Sequence, residues 1–211
     1  MVTWLKYGVI LSVFFSFFLL IYLITKTFSF GTKELNSQPS GNRKKGVMFA
    51  FGRGMMPWEK ESAKKHLLTY GAGIIYHSGI FSAFLLLLLD LFSVKAPSLL
   101  NSLFIVFMTS ALVCGIGLLL KRSLFKSMRS ISSPDDFISN ILVNSFLLIS
   151  VIHFFVIPIK IPLYSAGIIL FMYIPIGKIR HCFFFFYSRI LFGSFFGRRG
   201  VYPLPRTSSQ K

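Results

Sequence analysis

Apolar residues run almost unbroken from Tyr7 to Thr25, from about Leu67 to Phe92, from about Leu99 to Leu120, from Pro134 to about Ile157, and from about Leu163 onward. Each run approaches the roughly 20 residues a helix needs to cross a bilayer. The pattern therefore predicts an all-α integral membrane protein, a bundle of five spans. The breaks between runs carry helix-start and turn chemistry. Pro57 with Glu59 and Glu61 suits the opening of a short amphipathic helix that leads into the second span. Ser133-Pro134-Asp135-Asp136 reads as an N-cap, a proline at the first helical position and an acid at the third. PIKIP at 158–162 turns the chain, and Pro175 is expected to kink the fifth span.

This divides the chain into a first transmembrane helix (1–25), a basic loop with its lead-in helix (26–66), a four-helix membrane core (67–182) and an aromatic, basic tail (183–211) lying on the membrane surface and beyond. The first run has no small-residue cleavage site, and positive charge follows it, which predicts an uncleaved anchor. NSQPSGNRKKG, in the middle of the basic loop, has the composition of a flexible segment.

Composition agrees with the pattern. The 211 residues are 54% hydrophobic with a mean hydropathy of +0.70, which excludes an ordinary soluble domain. The net charge is +17, and its placement carries the information. Nine Lys/Arg lie in 26–65, four in 121–129 and seven from Lys178 onward, against Lys6, Lys95 and Lys160 on the other side. The positive-inside rule then sets the N-terminus outside and the C-terminus in the cytoplasm. No DNA-binding motif accompanies the charge, so nucleic acid is not an expected partner. Cys114 and Cys182 form no CxxC pattern and predict neither a disulfide framework nor a zinc site.

The four histidines, His66, His77, His153 and His181, all fall in or beside predicted spans. An imidazole inside an apolar span is costly and marks a functional site by default. Eleven residues at 100° each bring His66 and His77 within ~20° of one helix face, roughly 16 Å apart. Gly71, Gly73 and Gly79 thin the helix around His77, so a flat ligand could approach. Bis-imidazole ligation of a b haem needs two neutral histidines from facing helices at similar depth. His77 on the second span and His181 on the fifth match in depth near the cytoplasmic face. Lys178, Arg180 and Arg189 lie close in sequence to His181 and could pair with haem propionates; an ordinary positive-inside collar explains each of them equally well.

YGAGIIYHSGIF and YIPIGKIRHCFFFF resemble the haem-ligand helices of the respiratory nitrate reductase gamma subunit family. That family includes the membrane cytochrome b subunits of sulfite-reductase-associated and heterodisulfide-reductase-like complexes. The likeness covers roughly residues 58–190, in the same span order and sidedness. It implies a prokaryotic cytoplasmic-membrane subunit that exchanges electrons between quinone and a cytoplasmic iron–sulfur or catalytic partner through haem b. It also implies a subunit with no catalytic nucleophile of its own.

Two-haem members of the family carry further histidines where this chain has Leu87 and the residues around Leu163. One haem is therefore expected in preference to two. His66 beside KK reads most simply as a solvent-exposed residue; the rival readings pair it with His181, or place His66, His153 and Asp90 at a second haem or a quinone site. His153, with Asp90, Lys95 and Lys160 at similar depth, is either a helix-packing hydrogen bonder or a proton-handling group at a quinone site. Asp90 by itself reads as the end of its helix. Gly115-x-Gly117 and Gly193-x-x-x-Gly197 are candidate close-packing sites. The FGxFFGRRG tail either seats the iron–sulfur partner or anchors to lipid headgroups. A haem-free membrane anchor is the alternative function, and a small-solute transporter ranks third for want of paired broken helices.

Overall fold

A computed structural model describes residues 1–31 and 37–203. Part of the basic loop (32–36) and the polar end of the tail (204–211) lie outside the described residues. Every regular element among them is helical: α1 (Val2–Phe28), α2 (Arg43–Phe51), α3 (Glu61–Lys65), α4 (Leu67–Leu91), α5 (Ser98–Leu124), α6 (Lys126–Ser130), α7 (Pro134–Phe155), α8 (Lys160–Tyr173) and α9 (His181–Arg198). Short 3-10 turns occupy Arg53–Met55, Pro57–Glu59 and Lys178–Arg180.

α1, α4, α5 and α7 are each long and apolar enough to cross a membrane, and the broken run Lys160–Arg198 supplies a fifth if it counts as one span. Only 22% to 33% of the most apolar window of each of the four long helices is buried. What remains exposed is apolar, as with Leu11 and Phe18 on α1, Phe81 and Leu88 on α4, and Val106 and Val113 on α5. A surface of that kind needs hydrocarbon around it. The chain is a multi-pass integral membrane protein.

The expected start of α7 is present in full. Ser133 caps the helix, Pro134 occupies its first position, and the Ser133 backbone N–H donates to Asp136 Oδ2 at 2.9 Å. Asp136 also takes Lys178 at 2.5 Å and Arg122 at 3.2 Å, with its side chain only 6% exposed. One carboxylate thus ties the start of α7 to the end of α5 and to the residues after α8. Asp136→Ala should cost about 2 kcal/mol, a lost cap plus part of two charge-assisted contacts. Reversible unfolding in mixed micelles measures it, and Asp136→Asn should cost less because its amide oxygen still accepts.

Two expectations need correction. Pro175 does not kink a continuous helix. α8 ends at Tyr173, and the Ile176 and Gly177 N–H groups turn back onto the Tyr173 carbonyl. Proline cannot donate in the ladder, and Gly177 lets the chain pass under the Tyr173 ring, where a Cβ would lie 2.3 Å from Cζ. The Tyr173 hydroxyl donates to Asp135, fastening the end of α8 to the first turn of α7. The lead-in to α4 is also not one helix. A 3-10 turn and the five-residue α3 stop at His66, whose backbone N–H bonds to Ala63 and whose ψ of 51° leaves the helix.

The described residues form two compact units, 1–19 with 68–179, and 20–31 and 37–67 with 180–203. The first is a helical bundle whose core runs through Val9, Leu86, Leu87, Met108, Ala111, Phe146, Leu147, Leu163 and Tyr164. α4 and α5 meet at Gly79, where a Cβ would sit 2.2 Å from the Ala111 methyl. Gly115 packs against Tyr76 and Asn144, whereas Gly117 has nothing within 4 Å.

The second unit joins the basic loop to the aromatic tail. NSQPSGNRKKG is not flexible throughout: Asn42 accepts from the Lys44 and Lys45 N–H groups and starts α2. α2 lies on α9 with backbones touching, through Gly46 against Gly193 and Gly197. Phe49, Phe192 and Phe196 pack around Tyr202, and Phe51 packs on Phe185 and Phe186. The second glycine pattern of the sequence is therefore a helix-packing site.

Candidate functional site

His77 stands ten residues into α4, on an exposed stretch of its surface. Its ring is held by the helix itself. Nδ1 lies 2.7 Å from the carbonyl oxygen of Gly73, one turn back. A carbonyl oxygen can only accept, so in the neutral ring Nδ1 carries the proton and Nε2 carries the lone pair. That is the second-sphere arrangement that orients a metal-ligating histidine and fixes its tautomer. A Cβ at Gly71 or Gly73 would meet nothing within 4 Å, so the helix is open along this stretch.

His181 is the first residue of α9, in the second unit, and it too is exposed. Arg180 precedes it and is exposed, but Lys178 is engaged with Asp136 at 2.5 Å. Of the two side chains suggested for propionates, Lys178 therefore already has a carboxylate. Arg189, the third cation near this helix, lies 5.5 Å from the Phe185 ring centroid. Burial, and then the charge of Arg189, hold the Lys60 ammonium below its usual range.

His66 occupies the exposed turn between α3 and α4. The continuous helix that would have aligned it with His77 does not exist, so the shared-face argument for that pair does not apply.

His153 is different. It is 7% exposed, in the last turn of α7, and its Nε2 lies 3.9 Å from Asp90 Oδ1. Lys160 lies 3.9 Å from the same oxygen, and Tyr164, fully buried, donates to Asp90 Oδ2 at 2.5 Å. Lys6 of α1 reaches the Asp90 and Leu91 carbonyls at 3.5 and 3.3 Å and closes the end of α4. Asp90 is thus the centre of a cluster rather than only a helix end. No ion pair or hydrogen bond among the described residues joins Lys95 to it. Tyr164 and Lys6 escaped the sequence reading. Tyr164 could have been found, because it lies four residues after Lys160 and so on the same face of α8. Nothing local pointed to Lys6.

Among the described residues no three His, Cys, Asp or Glu side chains come together to hold a metal ion. A haem iron asks less of a protein, since the porphyrin supplies four nitrogens and only axial ligands are needed. An imidazole oriented by its own helix, as His77 is by the Gly73 carbonyl, fits that requirement.

No protein-family model, characterised protein or solved structure matches the chain. The functional reading therefore rests on these residues.

Proposed function

We propose that this chain is a membrane b-type cytochrome subunit that passes electrons between the quinone pool and a cytoplasmic iron–sulfur or catalytic partner. In this reading it is a relative of the respiratory nitrate reductase gamma subunit, with its N-terminus outside and its C-terminus in the cytoplasm. The observation that carries the proposal is the Nδ1 contact of His77 with the Gly73 carbonyl, which holds the ring in a fixed orientation on the apolar span. His77 and His181 would supply the two axial nitrogens, and Arg180 is the preferred propionate partner. Haem b supplies reversible one-electron chemistry when bound.

The rest is the work of this chain's own side chains. His66 stands in an exposed turn, and His153 is committed to the cluster at Asp90, which supports one haem rather than two. Quinol oxidation releases protons, and quinone reduction consumes them. Asp90 and His153 can exchange protons with a quinol hydroxyl, with Tyr164 holding the carboxylate in place and Lys160 beside it.

The purified protein should show the Soret and α bands of b haem, and a short-chain quinol should reduce them. Asp90→Asn should keep the bands and slow their reduction by quinol by roughly a hundredfold, the lower end of general acid–base effects. Protein without any haem band would leave the haem-free anchor as the function. Unchanged quinol reduction in Asp90→Asn would remove the cluster from the reaction.

A further inference from the structure

Two basic runs that are far apart in sequence, Arg43-Lys44-Lys45 and Arg198-Arg199, are brought together by glycine contacts. A Cβ at Gly46 would lie 2.1 Å from the Gly193 carbonyl oxygen and 2.5 Å from Gly197 Cα. Past the crossing, the Ser40 and Gly41 N–H groups donate to the Arg198 carbonyl at 3.0 and 2.8 Å. The start of α2 therefore lies beside the end of α9, and five cations gather at one end of the pair. Four of them, Arg43, Lys44, Lys45 and Arg199, are exposed.

Among the described residues no ion pair reaches Arg43, Lys44, Lys45 or Arg199. The described residues of this unit hold twelve Lys/Arg against Glu59 and Glu61. Both glutamates are committed elsewhere, Glu59 to Arg53 at 2.5 Å and Glu61 to Lys65 at 2.9 Å. Like charges drawn together by backbone contact repel unless counter-charge sits among them. The first N–H groups of α2 are already taken by Asn42, so an anion here would be met by side chains.

The surface around the cations is apolar. Met48, one turn beyond Lys44, is 75% exposed, and Phe195 is 40% exposed with Arg199 seated 4.0 Å above its ring. Cations interleaved with large exposed apolar side chains suit the boundary between headgroups and acyl chains. We propose that this end of the α2–α9 pair binds the phosphate headgroups of anionic phospholipids.

The test uses the full chain in detergent, titrated separately with phosphatidylglycerol, phosphatidylcholine, inorganic phosphate and a polyglutamate peptide. Bound lipid is counted by native mass spectrometry. Phosphatidylglycerol should be retained selectively, and retention should fall steeply as salt is raised. Arg43→Gln/Lys44→Gln/Lys45→Gln should weaken it by about a hundredfold, at about fivefold per surface charge. Arg198→Gln/Arg199→Gln should weaken it by about twenty-five-fold on the same basis. Lys126→Gln/Arg129→Gln, on the basic loop of the other unit, should leave it unchanged. Equal retention of phosphatidylcholine, equal binding of inorganic phosphate, or preference for the acidic peptide would each overturn the proposal. The salt dependence of the unaltered protein decides the matter even if a variant folds poorly.

Discussion

His77→Ala and His181→Ala are each expected to bring haem content from about one per chain to near zero, while His66→Ala and His153→Ala retain it. The asymmetry follows from ligation, because a haem held by these two imidazoles would lose its hold on the protein when either is removed. His66 stands in an exposed turn where the lead-in helix is interrupted, so it does not share a helix face with His77. His153 is buried against Asp90, and its loss should disturb proton handling rather than haem. Pyridine haemochrome on monodisperse, membrane-inserted variants gives the number directly. Full haem in His77→Ala would remove the central assignment. Loss in all four folded variants would point to a second haem instead.

Gly46→Leu is expected to open the second unit at a cost of about 3 kcal/mol or more, the upper range for overpacking. The new side chain has nowhere to go, because the atoms it would meet are the Gly193 carbonyl oxygen and the Gly197 Cα, both backbone. α2 must leave α9, and the stacking of Phe49 on Tyr202 goes with it. Limited proteolysis should then cut the basic loop readily, and the early phase of micellar unfolding should shift. Gly117→Ala is the matched control. Nothing lies within 4 Å of a Cβ there, so it should be neutral or gain up to about 1 kcal/mol of helix propensity. If the two variants behave alike, the glycine crossing is not what holds this unit together.

Most of the span architecture was legible because bilayer-length apolar runs leave a chain little choice. Expected starts at Leu67, Leu99 and Pro134 fall within a residue of those of α4, α5 and α7, whereas the expected stop at Leu120 falls four residues short of the end of α5. The capping box at Ser133 was readable because its donors and acceptors lie within four residues of one another. Less of the functional site could be read. Asp90 and His153 were suspected of sharing a depth, but Tyr164 and Lys6 completed the cluster from other helices. The Gly73 carbonyl that sets the His77 ring is a rotamer choice, and periodicity does not specify rotamers.

Taken alone, the order of residues determined that this chain is helical, that it lives in a membrane, and where α4, α5 and α7 begin. These are consequences of short-range chemistry: backbone groups in hydrocarbon must bond within their own helix, and local caps decide where that stops. Only the tertiary structure decided that Pro175 and His66 mark full breaks, that Lys178 belongs to Asp136, and that Gly46 faces Gly193 and Gly197. Those outcomes depend on which surfaces of distant segments meet. The energies that select one meeting over another come from packing and charge pairs that no stretch of sequence contains by itself.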